Sequence, residues 1–94
     1  MIVEQELIEQ IELDPAGWEL ARVVALVHGL GCSDPLELLR GMWRAGSVVF
    51  TSADGAECAR HEVERYFREG GTANWFVRAT ERGSKWVHEG TDRP

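Results

Sequence analysis

Two cysteines and two histidines are the residues whose types and spacing come nearest to a reactive or metal-binding group. His28 and Cys32 are four positions apart, and Cys58 and His61 are three apart, so each pair has a spacing that can chelate one ion. The first pair straddles two glycines at which a helix is expected to end, and the chain lacks the CxxC knuckle of most zinc modules. We therefore expect no metal site and interpret the cysteines as small, half-buried hydrophobic residues.

The pair of Cys58 and His61 also has the spacing of a thiol and a base on one helix face. A neighbouring histidine can activate a cysteine as a nucleophile. No adjacent segment has the composition of an oxyanion hole or a strained nucleophile turn, and a chain of 94 residues has little material to enclose a pocket. We therefore expect no catalytic residue, no cofactor and no enzymatic activity.

The negative charge of the chain is concentrated near its N-terminal end. Residues 1–21 contain six carboxylates and no lysine or arginine, whereas residues 22–94 contain ten acids and ten bases. The formal charge of −6 therefore belongs to the first segment, and this division predicts two surfaces with different partners. An acidic balance also disfavours nucleic-acid binding, because a basic face normally supplies most of its affinity.

Residues 1–13 are expected to form an acidic amphipathic helix. One side carries apolar residues at helical spacing, and carboxylates fill the other side. The apolar side must be covered by the core of the same chain, by a second copy or by a groove on a partner. We assign this helix to protein interaction through Ile2, Leu7, Ile8, Ile11, Glu4 and Glu9.

Three further helices are predicted in residues 14–89, which we expect to form the core of a single domain spanning residues 1–94. Each begins with an aspartate that can accept hydrogen bonds from the free amides of the first turn, and each ends at glycine. The start signals are Asp14-Pro15, Asp34-Pro35 and Asp54 with Glu57, and the end signals are Gly29 with Gly31, Gly46, and Gly70-Gly71.

Strand signals complete the prediction. Residues 47–51 are rich in β-branched and aromatic residues, and residues 75–80 alternate in polarity. Residues 81–83 suit a three-residue loop, and residues 85–88 suit the return strand of a hairpin. The polar residues 90–94 are expected to form a frayed tail. The predicted fold class is α+β, with four helices packed on one face of a small three-stranded antiparallel sheet that ends in a C-terminal β-hairpin.

Two adjacent rings, Trp75 and Phe76, belong to the first strand of this hairpin. Neighbouring side chains on a strand face opposite sides of the sheet. If helices cover one face alone, one of the two rings remains open to solvent or to a partner. We therefore assign Trp75 and Phe76 to protein interaction as well.

The C-terminal half of the chain resembles the general layout of a winged helix. A helix rich in arginine precedes the predicted hairpin, and residues 77–83 have the Thr-x-x-Gly composition seen in the wings of many such domains. The predicted order departs from that pattern, because no strand lies between the first two helices and the strand at residues 47–51 separates the third and fourth helices. The resemblance implies DNA binding through Arg60, Arg65, Arg78, Arg82 and Lys85.

We interpret the chain as a non-catalytic protein-interaction or regulatory accessory module of a bacterial or phage-type cytoplasmic system. A winged-helix-like DNA-binding transcriptional regulator is the alternative. We expect a protein partner or self-association, with nucleic acid disfavoured by charge. The longest apolar run, residues 23–27, is far shorter than the roughly 20 residues of a membrane span, and the N-terminal sequence has no signal-peptide pattern, so we expect no membrane association.

Overall fold

The computed structural model describes residues 2–90 and has five helices and three strands in that range. In chain order these are α1 (Val3–Ile11), β1 (Trp18–Glu19), α2 (Leu20–Gly29), α3 (Pro35–Ala45), β2 (Val48–Thr51), α4 (Arg60–Glu69), β3 (Phe76–Ala79) and α5 (Glu81–Glu89). The strands form one antiparallel sheet in the order β1-β3-β2. The prediction of an α+β fold with a three-stranded antiparallel sheet is confirmed, with five helices instead of four. The predicted tail lies outside the described residues except for Gly90.

The core is formed between the sheet and the helices that pack on it. Helix α1 contacts α2, β3 and α5. Helix α2 contacts α3, the outer strand β1 and the central strand β3. Helix α3 also contacts β2. Burying a large aliphatic side chain stabilises the fold by about 1.5–3 kcal/mol relative to leaving it exposed. The buried apolar residues are Leu7, Ile8, Ile11, Leu20, Val23, Val27, Leu39, Met42, Val48, Phe50, Val63, Val77 and Trp86.

Helix α3 begins and ends as its sequence predicts. The Asp34 carboxylate accepts a hydrogen bond from the backbone N–H of Glu37 at 3.2 Å, and Pro35 occupies the first turn. Gly46 ends the helix in the left-handed conformation, at φ 83°, where a side chain would be strained. Local capping therefore defines both ends of this helix.

The other two aspartates do not start helices, and the corresponding predictions are wrong. The Asp14 carboxylate accepts a hydrogen bond from the backbone N–H of Ala16, and that of Asp54 accepts one from Ala56, each at 3.0 Å; the Ser52 hydroxyl also donates to Asp54. Each aspartate thus closes a turn, and the next helix begins six residues later. A short carboxylate satisfies a turn as well as a helix end, so the residue type alone does not distinguish them.

The strand β1 lies within the segment from Asp14 to Gly29 that the sequence predicts to be helical, so the prediction is wrong for Trp18 and Glu19. The strand β1 pairs with β3, and the backbone N–H of Leu20 donates to the Trp75 carbonyl at 2.9 Å. Gly17 enters the strand at φ 79°, and a Cβ at this position would lie 2.4 Å from the carbonyl oxygen of Val77. Glycine is required here because the backbone must turn and approach β3 closely.

The predicted C-terminal hairpin is wrong, because residues 81–89 form helix α5. The Thr80 hydroxyl oxygen caps this helix by accepting a hydrogen bond from the backbone N–H of Gly83 at 3.1 Å. Gly83 is buried in the helix, and a Cβ there would lie 2.4 Å from the carbonyl oxygen of Ser47. Gly83 and Trp86 are three positions apart, so a helix directs both toward the core, which an alternating strand cannot do.

Candidate functional site

The apolar side of α1 belongs largely to the core of its own chain. Leu7, Ile8 and Ile11 are 0% exposed, whereas Ile2 is 49% exposed. The core of the same chain, and not a second copy or a groove on a partner, covers these three buried residues. Their assignment to a docking surface is therefore wrong, because enclosed side chains cannot contact a partner without unfolding.

The carboxylates of α1 are divided between solvent and the rest of the fold. Glu9 is exposed and Glu4 is half-buried. Just after the helix, Glu12 accepts a hydrogen bond from the Ser84 hydroxyl at 3.0 Å and contacts the His88 ring on α5. The acidic segment therefore presents Glu9 to solvent and connects to the C-terminal helix through Glu12.

Trp75 lies in a cluster of aromatic rings instead of on an open sheet face. Its ring centroid is 5.8 Å from that of Phe50 and 5.1 Å from that of Tyr66. Phe67 on α4 extends the cluster, with its centroid 5.7 Å from Phe50 and 6.2 Å from Trp43 on α3. These contacts attach α4 to the rest of the molecule. Trp75 is thus a packing residue that is only half-buried.

Phe76 differs from Trp75 in its position on the sheet. It pairs with Thr51 on β2 and with Glu19 on β1, so it points away from the face that carries Val77. Phe76 is half-buried, and the next residue on the same face, Arg78, is exposed. Part of the Phe76 side chain is therefore exposed on the sheet face opposite Val77.

The five basic residues assigned to DNA contact are spread over three elements. The predicted hairpin that would have grouped them does not form, and two of them lie on α4, one on β3 and two on α5. Arg60 is paired with Glu64 at 3.0 Å. Lys85 is paired with Glu81 at 3.1 Å, and this pairing raises the Lys85 pKa. The residues in question are Arg60, Arg65, Arg78, Arg82 and Lys85.

In the part of the chain that the structure describes, the cysteines and histidines do not form a metal-binding cluster. No three His, Cys, Asp or Glu residues there are arranged to hold a metal ion. Burial raises the pKa of the Cys58 thiol, and the nearby charges of Glu62 and Glu57 raise it further. A nucleophilic cysteine needs the opposite environment, one that favours the thiolate. The surroundings of Cys58 therefore disfavour its thiolate form.

A groove along α3, bordered by Glu4 of α1 and Trp86 of α5, is a feature that the sequence analysis does not predict. Its volume is about 310 Å³. The apolar part comes mainly from α3 and from Trp86 on α5, and both charged residues at the groove are glutamates. We call it the α3 groove, and it is lined by Glu4, Glu37, Leu38, Gly41, Met42, Ala45, Ser47 and Trp86.

A second, larger cleft lies between α3 and the beginning of α4. Its volume is about 510 Å³, and it carries two arginines and two glutamates, so its formal charges cancel. Arg60 and Glu64 are already paired with each other across its edge. This cleft therefore has no charge preference for a ligand. Its lining residues are Trp43, Arg44, Glu57, Cys58, Arg60 and Glu64.

Gly41 is the signal in the sequence from which the α3 groove could have been found. It lies in the middle of a helix, where glycine is unfavourable relative to alanine. A Cβ at this position would have no atom within 4 Å, so packing does not require glycine. The residue leaves open space on the surface of α3.

Neither a membrane-spanning helix within the described residues nor a similar known protein adds to the description of these sites. Within residues 2–90, no helix combines the length and the apolar character needed to cross a membrane. No protein-family model, curated protein or solved structure matches this chain.

Proposed function

We propose that this chain is a winged-helix module whose function is to bind another protein. The element order supports the scaffold: β1 lies between the first and second helices, and α2 and α3 follow one another before β2. The first of these features is absent from the predicted order, whereas the separation of the third and fourth helices by a strand remains, because β2 lies between α3 and α4. Strands β2 and β3 then correspond to the wing, with α4 inserted between them.

In this scaffold α2 and α3 form the helix-turn-helix, and α3 occupies the position of a recognition helix. Its solvent-facing residues include Leu36, Glu37, Gly41 and Arg44. Leu36 is 38% exposed, and the Glu37 carboxylate is 3.5 Å from the Arg40 guanidinium. The exposed side of α3 is thus mixed in character, with both charges and an apolar residue.

We favour a protein partner over DNA because of the net charge of the segments that would approach nucleic acid. Residues 30–45 and 52–75, which contain the turn, α3 and the whole connection between β2 and β3, hold seven carboxylates and five arginines. A DNA-binding surface must neutralise phosphates with an excess of basic residues. A surface with excess negative charge favours a protein partner, so we propose a non-catalytic interaction or regulatory module.

The proposal also includes the cellular compartment and the type of system in which the module acts. Both cysteines are free, which agrees with a reducing compartment. We place the module in a bacterial or phage-type cytoplasmic system, where its exposed N-terminal carboxylates would face a basic surface of the partner. A second copy of this chain is the other protein that could fill this role.

A paired experiment tests the protein-binding function. Tagged protein is used to capture partners from an extract of the source organism, and the captured protein is then tagged to capture this chain in return. Sedimentation of the purified chain over a range of concentrations tests self-association. Reciprocal capture or reversible self-association is the expected result; a strictly monomeric chain that captures nothing would contradict the proposal.

DNA binding is the second candidate, because the element order is that of a DNA-binding scaffold. In this arrangement the contacts would come from Arg40 and Arg44 on α3. Retention on heparin and a gel shift at roughly 50 mM and 200 mM salt provide the test, because phosphate contacts are strongly salt-dependent. Binding at low salt that is lost in Arg40→Ala and Arg44→Ala would support this candidate against protein binding.

A further inference from the structure

We propose that the α3 groove binds an arginine side chain from a basic segment of the partner protein. This inference rests on the proposed protein-binding function and names the site and the chemistry of the contact. It is carried by three observations on the same groove: the charges at its edge, the apolar residues of its floor, and a glycine that keeps it open.

The charged residues that line the groove in the described part of the chain are Glu4 and Glu37, and Arg40 is the ion-pair partner of Glu37. The Glu37 side chain is 66% exposed, and its pair with Arg40 spans 3.5 Å between two exposed groups, an arrangement that is weak and readily exchanged. The planar guanidinium of an incoming arginine can donate two parallel hydrogen bonds to such a carboxylate.

The floor of the groove suits the aliphatic part of the same side chain. Leu38, Met42 and Ala45 follow one side of α3, and Trp86 faces them from α5. Arginine buries its methylene groups along apolar surface while its charged end stays near water or a carboxylate. The volume of about 310 Å³ is at the lower end of the range for ligand pockets, so it fits one long side chain better than a cofactor.

Gly41 leaves the space in which the side chain would lie. Its φ is not in the left-handed region, and a Cβ there would contact nothing within 4 Å. The fold therefore does not need glycine at this position, although glycine weakens the helix relative to alanine. A longer side chain at position 41 would begin in open space at the groove and compete with the arginine side chain for the same volume.

A nuclear magnetic resonance titration of the full chain tests the proposal. The probe is Nα-acetyl-arginine methylamide, and the matched control probe is the citrulline derivative, which has nearly the same shape but no charge. We expect saturable shifts of the Gly41 amide and the Trp86 indole N–H with the arginine probe and none with citrulline. Removing the carboxylate in Glu37→Gln should weaken binding about tenfold.

The variant Gly41→Met is expected to abolish the shifts of the Trp86 indole, because its side chain fills the groove. Gly29→Met provides the matched control, since Gly29 is an exposed helical glycine on α2 with no atom within 4 Å of its Cβ. Both variants should keep the circular dichroism spectrum and cooperative unfolding of the parent chain. Equal binding of citrulline, or full binding by folded Gly41→Met, would overturn the proposal.

The same variants separate this inference from the proposed function. If Gly41→Met still captures the partner as well as the parent chain does, the protein-binding function stands and the groove assignment fails. If the arginine probe binds but no partner is captured and no self-association occurs, the groove is a site and the protein-binding function fails. Groove shifts that depend on protein concentration without any probe would assign the groove to a second copy and overturn the inference.

Discussion

At the scale of single residues, two helical glycines have opposite surroundings. A Cβ at Gly83 would lie 2.4 Å from the Ser47 carbonyl oxygen and 3.2 Å from the Cδ1 atom of Ile8. A Cβ at Gly41 would meet no atom within 4 Å. Gly83 therefore permits close packing of α5 on the backbone after α3, whereas Gly41 leaves a groove open.

This contrast predicts opposite effects of one methyl group. Gly83→Ala should lower the free energy of unfolding by about 2–3 kcal/mol, because the backbone of Ser47 must move to relieve the overlap. Gly41→Ala should raise the free energy of unfolding by about 0.5–1 kcal/mol, because alanine favours the helix and meets no neighbour. Urea unfolding of the two variants beside the parent chain is the measurement. Equal effects, or a stabilised Gly83→Ala, would contradict this account of the packing.

Cys58 allows a prediction about pH. Burial first, and then the charges of Glu62 and Glu57, raise the thiol pKa, so the thiolate fraction at neutral pH is smaller than for a free cysteine. Alkylation of Cys58 by iodoacetamide, followed peptide by peptide by mass spectrometry, should therefore reach half its maximal rate at a higher pH than a model thiol does. Glu62→Gln should shift that midpoint to lower pH. Glu69→Gln, on the same helix but not among the groups that shift the pKa, is the control and should leave it unchanged.

At the scale of the elements, the start of α5 depends on one side chain with two hydrogen bonds. The Thr80 hydroxyl oxygen accepts from the backbone N–H of Gly83 at 3.1 Å, and the same hydroxyl donates to the carbonyl of Gly46 at 2.6 Å. The backbone N–H of Thr80 also donates to the carbonyl of Ser47 at 3.1 Å. Thr80 therefore both caps α5 and joins it to the end of α3.

Thr80→Val keeps the shape of the side chain and removes both hydroxyl bonds. We expect a loss of about 1–2 kcal/mol in the free energy of unfolding, the usual cost of a lost cap, measured by thermal or urea unfolding. Thr72→Val, at an exposed position between α4 and β3, should change stability by no more than about 0.5 kcal/mol. A Thr80→Val variant as stable as the Thr72→Val control would show that α5 does not rely on this cap.

At the scale of the whole molecule, α1 and α5 hold the two ends of the chain together. Leu7, Ile8 and Ile11 seal the core from one side, and α1 contacts α5 directly. Glu12 accepts a hydrogen bond from the Ser84 hydroxyl at 3.0 Å and also contacts His88. The N-terminal helix is therefore structural, and Glu9 lies on its exposed side.

This role predicts that the molecule does not tolerate damage to α1. Ile8→Ala should lower the free energy of unfolding by about 2–5 kcal/mol, because it leaves a cavity at a fully buried site. Leu13→Ala, at a position that is 80% exposed, should have an effect of no more than about 0.5 kcal/mol. Urea unfolding compares the two. Deleting residues 1–13 should abolish cooperative unfolding, and a deletion variant that still unfolds cooperatively would return α1 to the role of a docking element.

Much of the fold was predictable where local chemistry is decisive. The prediction of α3 was correct because Asp34 and Gly46 act within a single turn of the helix. The prediction of β2 was correct to within one residue, because its β-branched and aromatic side chains fit the buried, pleated surface that this strand occupies. The candidate site was harder to predict from the sequence, because the α3 groove combines residues of α1, α3 and α5 that are far apart in the chain.

Local sequence predicts the fold class, the ends of α3, the amphipathic character of α1 and the concentration of negative charge in the first 21 residues. Long-range packing is needed to explain why α1 covers its own core, why residues 81–89 are helical, and why Asp14 and Asp54 close turns. The difference lies in the distance along the chain over which each interaction acts. Caps, glycine ends and charge counts act over a few residues, whereas the choice of α5 over a strand depends on how closely Gly83 can approach a backbone 36 positions earlier at Ser47.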